Sequence, residues 1–396
     1  MKAFLIAGEP SGDRLGGALM GGLQELVGEI EFKGIGGAQM QAHGLTSLFP
    51  MEELSVMGLA EILPKYRHLK RRIAETAEAV LREKPDVLIT IDSPDFCLRV
   101  AKLVRAKSDL WIVHYVAPSV WAWRPGRAAK MAKSVDHVLA LLPFEPPYME
   151  AAGMECDFVG HPVVSEPVAS GAEIAQFRAR FDLGQAPVLL VLPGSRRGEV
   201  SRLAPVFGEV LSGFSPMHPE FRVVVPAAPP VADMVKEAVA TWQGNPLVID
   251  PREFARDEAA AVKRAAFASA DLALAASGTV SLELAAARTP MVIAYSFHWL
   301  TWAIMRRMVR VDTVTLVNLV SETRHVPECL GPECQPEQIV AAMTQVAKNP
   351  KAQKQAMALT MERLGEGGEA PGLRAAKAVL KGMGWFQTGS DCRHSE

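Results

Sequence analysis

Two metal-holding patterns are missing from this sequence. No two of its aspartates stand as Asp-x-Asp, and no two of its cysteines as CxxC. The five cysteines, Cys97, Cys156, Cys329, Cys334 and Cys392, are odd in number and scattered. That excludes a disulfide framework and a structural zinc, and it fits a reducing compartment. Cys329 and Cys334 have no second ligand pair nearby and read as free thiols. No metal and no cofactor is expected. An excess of charge is missing too: 42 basic residues face 44 acidic ones, a net charge of -2. General nucleic-acid binding needs a positive excess and is excluded, so any basic patch is local. No run approaches the roughly 20 apolar residues of a spanning helix. The opening MKAFLIAGEPSGD has too short an apolar run for a signal peptide and leads directly into a loop motif. The expected place is the cytoplasm, at most on a membrane surface.

What is present is enough apolar material for a large core. Hydrophobic residues make up 49% and charged residues 22% of 396 residues, as in a soluble enzyme of two domains. The stretch Val188 to Val200, VLLVLPGSRRGEV, organises the rest. Val188 to Leu192 is apolar at every position, which predicts a strand buried on both faces. Pro193-Gly194 breaks it, Ser195 can cap a following helix, and Glu199 falls in that helix's first turn. Gly194 permits close approach to the backbone, and the exposed N–H groups with Arg196 and Arg197 form an anion site suited to a diphosphate. An ordinary strand-turn-helix with two surface arginines fits the same residues.

The first half repeats this rhythm. Lys2 to Ala7 is a strand, Gly8 to Asp13 a loop, and about Arg14 to Val27 a helix, the way doubly wound α/β domains begin. Gly8, Glu9, Ser11, Gly12 and Asp13 read as a polar rim facing a cleft. Glu31 to Ile35 is a second strand. Asp86 to Ile91 is a buried strand ending in Asp92, placed where ligands bind in open α/β sheets. Asp95 reads as the cap of the helix that follows. Leu110 to Val116 leads into a loop with Trp121 and Trp123, which either bury a long connection or shape an acceptor pocket. His137 to Leu142 and Asp157 to Val159 complete this half. The polar segment Val164 to Ala186 holds the boundary, giving domains 1–165 and 166–365, a C-terminal helix 366–385 and a disordered tail 386–396.

In the second half, strands fall at Val188–Leu192, Arg222–Pro226, Leu247–Ile249, Leu272–Ala276 and Pro290–Tyr295. Ser277, Gly278 and Thr279 form a second turn into a helix. Asn318 ends an apolar run and is a plausible cleft position. Two segments mix apolar and basic residues. One, Met51 to Lys70, carries Ile62, Leu63, Tyr66 and Leu69 and is interrupted by Pro64; the other runs through Trp299 to Arg310. Each fits either an interfacial helix on anionic lipid or a helix packed within the protein.

Together these pieces suit group transfer from a nucleotide. A departing nucleoside diphosphate needs fixed cations and backbone N–H groups, or a metal. Without an Asp-x-Asp pair, Arg196 and the turns at Ser195 and at Ser277 to Thr279 serve. Glu283 suits a bidentate grip on a ribose diol, or else simply caps its helix. Asp92 is the best-placed base for an acceptor hydroxyl.

GEPSGD (8–13), IDSPDF (91–96), HYVAPSVWAWRPGR (114–127), LPFE (142–145), GHPV (160–163), LPGSR (192–196), ASGTVSLE (276–283) and VTLVNLV (314–320) stand in the order and spacing of one family. The chain resembles lipid-A-disaccharide synthases from residue 3 to about 380. The resemblance implies a GT-B-type fold, two Rossmann-like domains facing a central cleft, with the C-terminal helix packed back on the N-terminal domain. It implies an inverting glycosyltransferase that joins UDP-2,3-diacylglucosamine to 2,3-diacylglucosamine 1-phosphate (lipid X) by a β-1,6 bond and releases UDP. It singles out Asp92 as base, Arg196 as the diphosphate's cation and Asn318 as an essential cleft residue. It also puts the segment Met57 to Leu69 on the membrane, peripheral on the inner face of the bacterial inner membrane. A homodimer is an open expectation. The rival readings are another UDP-sugar enzyme of this fold, a lipid-linked peptidoglycan transferase or an epimerase, and a non-catalytic nucleotide-binding membrane adaptor.

Overall fold

The computed structural model describes residues 1–54, 59–123, 126–297, 302, 308 and 311–385, the side chains of 59–66 excepted. It divides into two compact units. One is Met1–Ser165 with the C-terminal stretch from Gly367, and the other is Glu166–Glu366.

The first unit is built on β1 (Lys2–Ala7), β2 (Glu31–Ile35), β3 (Thr46–Ser47), β4 (Val87–Ile91), β5 (Trp111–Tyr115), β6 (His137–Ala140) and β7 (Glu155–Phe158). Their order is β3-β2-β1-β4-β5-β6-β7, and every pairing is parallel. All five residues of β4 are buried, because helices cover both faces of such a sheet. The second unit is built on β8 (Val188–Leu192), β9 (Arg222–Pro226), β10 (Leu247–Ile249), β11 (Leu272–Ala276), β12 (Met291–Tyr295) and β13 (Glu328–Leu330). Its order, β10-β9-β8-β11-β12-β13, repeats the same winding. β3 and β13 were not expected; they are edge strands of two and three residues, too short to carry a pattern.

In each sheet the winding reverses once, between β1 and β4 and between β8 and β11. Ligands of doubly wound folds bind at the carboxyl ends of the strands flanking that reversal. GEPSGD follows β1, IDSPDF follows β4, LPGSR follows β8, and the Ser277–Thr279 turn follows β11.

Several local expectations change. The first helix spans Pro10–Val27, starting before Arg14, because Pro10 at its first position is preset for a helix and needs no N–H partner. Asp13, expected on a polar rim, is 5% exposed. It accepts N–H groups of Gly37, Gln39 and Met40 at 2.8, 2.9 and 3.1 Å, and so caps the short helix Ala38–Ala42. Asp95 does not cap its helix: it lies exposed inside the first turn of Pro94–Arg105, whose N-cap is Ser93.

The C-terminal helix, Pro371–Gly382, packs on the first helix backbone to backbone. A methyl group at Gly372 would lie 2.6 Å from the Ala18 carbonyl oxygen, and one at Gly22 would lie 2.8 Å from that of Gly372. Arg374 of this helix donates to the carbonyl of Phe158, the last residue of β7, at 2.8 Å.

From Leu59 on, the first apolar and basic segment lies on a helix that runs to Glu83, so Pro64 does not end it; residues 55–58 lie outside the described residues. The side chains of Ile62, Leu63 and Tyr66 lie outside the described residues, and Leu69 is half-buried. Arg72 donates to Glu53 at 2.8 Å and covers the Phe49 ring, and His68 meets Glu53 at 2.7 Å. Arg67, Lys70 and Arg71 stay exposed. Apart from Trp302 and Met308, the second such segment, Trp299 to Arg310, lies outside the described residues, as does the tail 386–396. No described helix is long and apolar enough to cross a membrane.

Candidate active site

At the carboxyl edge of the first sheet, Asp92 directly follows β4. It is half-buried, and its N–H donates to the Tyr115 carbonyl at 2.9 Å. Its φ is +50° and that of Ser93 is +42°. Two successive non-glycine residues in the left-handed region cost about 1–3 kcal/mol each, and persist only where their surroundings hold them. Gly8, at the end of the neighbouring β1, supplies the room: a methyl group there would lie 2.6 Å from Ser93 Oγ. The two motifs therefore interlock at the carboxyl ends of β1 and β4. Val116, after β5, has φ +84°, an outlier for a β-branched residue. Glu9 is half-buried and Ser11 exposed beside this turn. Gly12, expected to bind substrate, is buried, and a methyl group there would lie 3.4 Å from Ala7 Cβ and 3.5 Å from Ile91, so the helix packs closely on the sheet at this point.

The tryptophan loop lies beyond β5. Trp121 is half-buried, meets the Phe144 ring edge-on at 5.2 Å and donates its indole N–H to Glu145 at 3.3 Å. Trp123 is 38% exposed with the Arg127 guanidinium 5.6 Å over its ring. Glu145 is itself buried, and that burial pushes its carboxyl up to about 7 against the pull of its three N–H donors.

In the second unit a cavity of about 580 Å³ opens at the β8/β11 reversal. Gly194, Ser195, Arg196, Ser277, Gly278, Thr279 and Glu283 all line it, so the residues singled out from both turns meet at one place. Its far wall is apolar: Ala227, Ala228, Ile249, Pro251 and Phe254. Such a wall suits the flat face of a base, with the phosphates at the polar end.

The details of that polar end differ from expectation. The helix runs Arg197–Met217 with Arg196, not Ser195, at its N-cap. Glu199 accepts the N–H groups of Ser195 and Arg196 at 3.0 and 3.2 Å and meets the Arg196 guanidinium at 3.2 Å. Gly194, φ +125°, is required by the Glu199 side chain: a methyl group there would lie 2.5 Å from its Cβ and 2.8 Å from its Oε2. The Arg196 side chain remains 66% exposed. Gly278 faces open space, and Ser277 beside it is half-buried. Glu283 is ion-paired with Lys263, a pocket residue the sequence reading missed.

Asn318 does not stand in a cleft. It is 1% exposed in the helix Leu316–Ser321. Its Nδ2 donates to the Val326 carbonyl at 2.9 Å and to Thr313 Oγ1 at 3.3 Å, and its Oδ1 accepts the Val326 N–H at 3.0 Å. With both ends of its amide used and its side chain buried, it clamps the segment around it. An apolar run ending in Asn has the same pattern in either case.

Among solved structures the chain is similar to a putative UDP-N-acetylglucosamine 2-epimerase from Listeria monocytogenes, with TM-score 0.63 and 13% identity, covering 98% of this chain and 97% of that one. It is equally similar to a UDP-GlcNAc 2-epimerase from Neisseria meningitidis bound to UDP-GlcNAc, with TM-score 0.63 and 14% identity, covering 97% and 99%. These likenesses carry the fold, and two doubly wound units with turns of this kind define a GT-B-type protein. A family model described as Lipid-A-disaccharide synthetase matches residues 3–379. A lipid-A-disaccharide synthase of Ruegeria pomeroyi is 70% identical over 380 residues, 96% of this chain and 95% of its own. One of Rhodospirillum centenum is 49% identical over 383 residues, 95% and 93% of the two chains. The chain belongs to the lipid-A-disaccharide synthase family. It is a hexosyl-transferring enzyme of lipid A biosynthesis that uses a UDP-sugar.

Proposed function

We propose that the donor is UDP-2,3-diacylglucosamine and the acceptor lipid X, with Asp92 as general base and the Gly194 and Ser277–Thr279 turns as the donor's diphosphate site. The Asp92 carboxylate takes the proton from the acceptor's 6-hydroxyl. The oxygen attacks the donor's anomeric carbon from the face opposite UDP, a C–O bond forms as the bond to UDP breaks, and the configuration inverts. The charge that develops on the diphosphate falls to Arg196, whose guanidinium is exposed at the pocket's polar end. The observation that carries this reading is the strained turn at Asp92 and Ser93, since such strain collects where a side chain must be held in one direction.

Both proposed substrates carry acyl chains, so the enzyme works at the inner membrane's cytoplasmic face. Support comes from the helix Leu59–Glu83, where Arg67, Lys70 and Arg71 remain exposed for anionic lipid. An adaptor would bind UDP without turnover, and an epimerase would release no acceptor-dependent UDP. Acceptor-dependent UDP release is therefore the primary measurement. Asp92→Asn is expected to lower transfer by roughly 100- to 10,000-fold while UDP binding stays largely intact. Wild-type turnover in that variant rejects the base. Loss of activity on chelation, restored by a divalent cation, moves the phosphate's charge from Arg196 to a metal.

A further inference from the structure

Glu145 has no part in the transfer step, yet a carboxylate is costly where it sits. It is 4% exposed and stands before the short helix Pro146–Glu150. Its Oε2 accepts the N–H groups of Leu141 and Leu142 at 3.2 and 3.0 Å, and its Oε1 accepts the Trp121 indole N–H at 3.3 Å. One carboxylate thus joins the turn after β6 to the loop after β5. Backbone bonds carry the connection on toward Asp92: Val116 N–H donates to the Leu139 carbonyl at 3.0 Å, and Asp92 N–H to that of Tyr115 at 2.9 Å. The loop enters through Val116 in its disfavoured conformation, so it is held in shape from outside. An apolar side chain of the same size would fill the space at lower desolvation cost. What it could not do is accept from both segments at once.

We propose that Glu145 is a positioning residue for the transfer reaction, gripping the Trp121 indole so that the loop 117–123 presents the acceptor sugar to Asp92. This rests on reading Asp92 as the base and the tryptophan loop as acceptor-binding. Glu145 touches no substrate, since it is closed off and its oxygens are taken. Its effect therefore falls on the acceptor and spares the donor pocket in the other unit.

The test uses the full chain in mixed micelles, with donor and acceptor varied separately. Glu145→Ala is expected to raise the acceptor's KM about tenfold or more, since small displacements of a positioning group are amplified in this way. The donor's KM should stay unchanged. Glu145→Gln has one oxygen for two sets of N–H donors, its amide nitrogen facing the other set, and should recover only part of the loss. Trp121→Phe removes the indole donor and should act in the same direction. The double variant Trp121→Phe/Glu145→Ala should be no worse than Glu145→Ala alone, because both remove one interaction. An unchanged acceptor KM overturns the proposal. So do additive effects, or donor and acceptor KM rising together with a fall in Tm. If Glu145→Ala does not fold, Glu145→Gln and Trp121→Phe decide. Failure of the underlying reading looks different: Asp92→Asn would turn over normally, whatever the acceptor KM of the Glu145 variants.

Discussion

A carboxylate inside the first unit responds to pH in a direction that can be worked out. Burial raises the Glu145 carboxyl from 4.5 to about 7. The folded chain then holds this proton more tightly than the unfolded chain does. The stability it contributes is fully present below about pH 4.5 and is lost as pH rises through about 7. A shift of this size corresponds to stability on the order of 3 kcal/mol. Glu145→Gln has no such proton, so thermal melts from pH 5 to 8 should show wild type losing ground to the variant. A constant difference across that range means the carboxyl titrates as an ordinary surface group. LPFE was legible as a motif, but its glutamate's partner was not. Trp121 lies 24 positions away, and nothing local marks the pair.

At the scale of elements, strands were the most legible. A strand covered on both faces must be apolar at every position, as Val188–Leu192 and Leu272–Ala276 are. Helix ends were less so. Ser195 and Asp95 both have capping chemistry, and both were displaced by a neighbour, because the chain's direction out of the strand decides which residue sits at the cap. The contact of the first helix with Pro371–Gly382 depends on glycine in both. Gly372→Val drives a side chain into the Ala18 carbonyl, so the denaturant midpoint should fall by the equivalent of about 1–3 kcal/mol or more. Protease cleavage near residue 367 should rise in parallel. An unchanged midpoint means the helices part without cost.

For the whole molecule, the consequence of the proposed membrane face is measurable. Replacing Ile62, Leu63 and Leu69 by Ser should weaken co-sedimentation with anionic liposomes and leave the melting curve in place. High salt should weaken wild-type sedimentation too, because exposed cations such as Arg67 and Lys70 are screened within about 8–10 Å at ordinary ionic strength. Equal sedimentation with a lowered Tm would instead make these side chains part of the core.

The amino-acid sequence by itself determined the two α/β units, the order of their ligand-type turns and the family. Apolar continuity and short motifs are local properties, written in consecutive residues. Only the tertiary structure decided what the polar groups do. It turned Asp13 into a cap on Gly37 and Met40, took the Ser195 and Arg196 amides for Glu199, and closed Asn318 into its own segment. A buried polar atom must find a partner wherever folding brings one, and most of those partners come from distant stretches of chain.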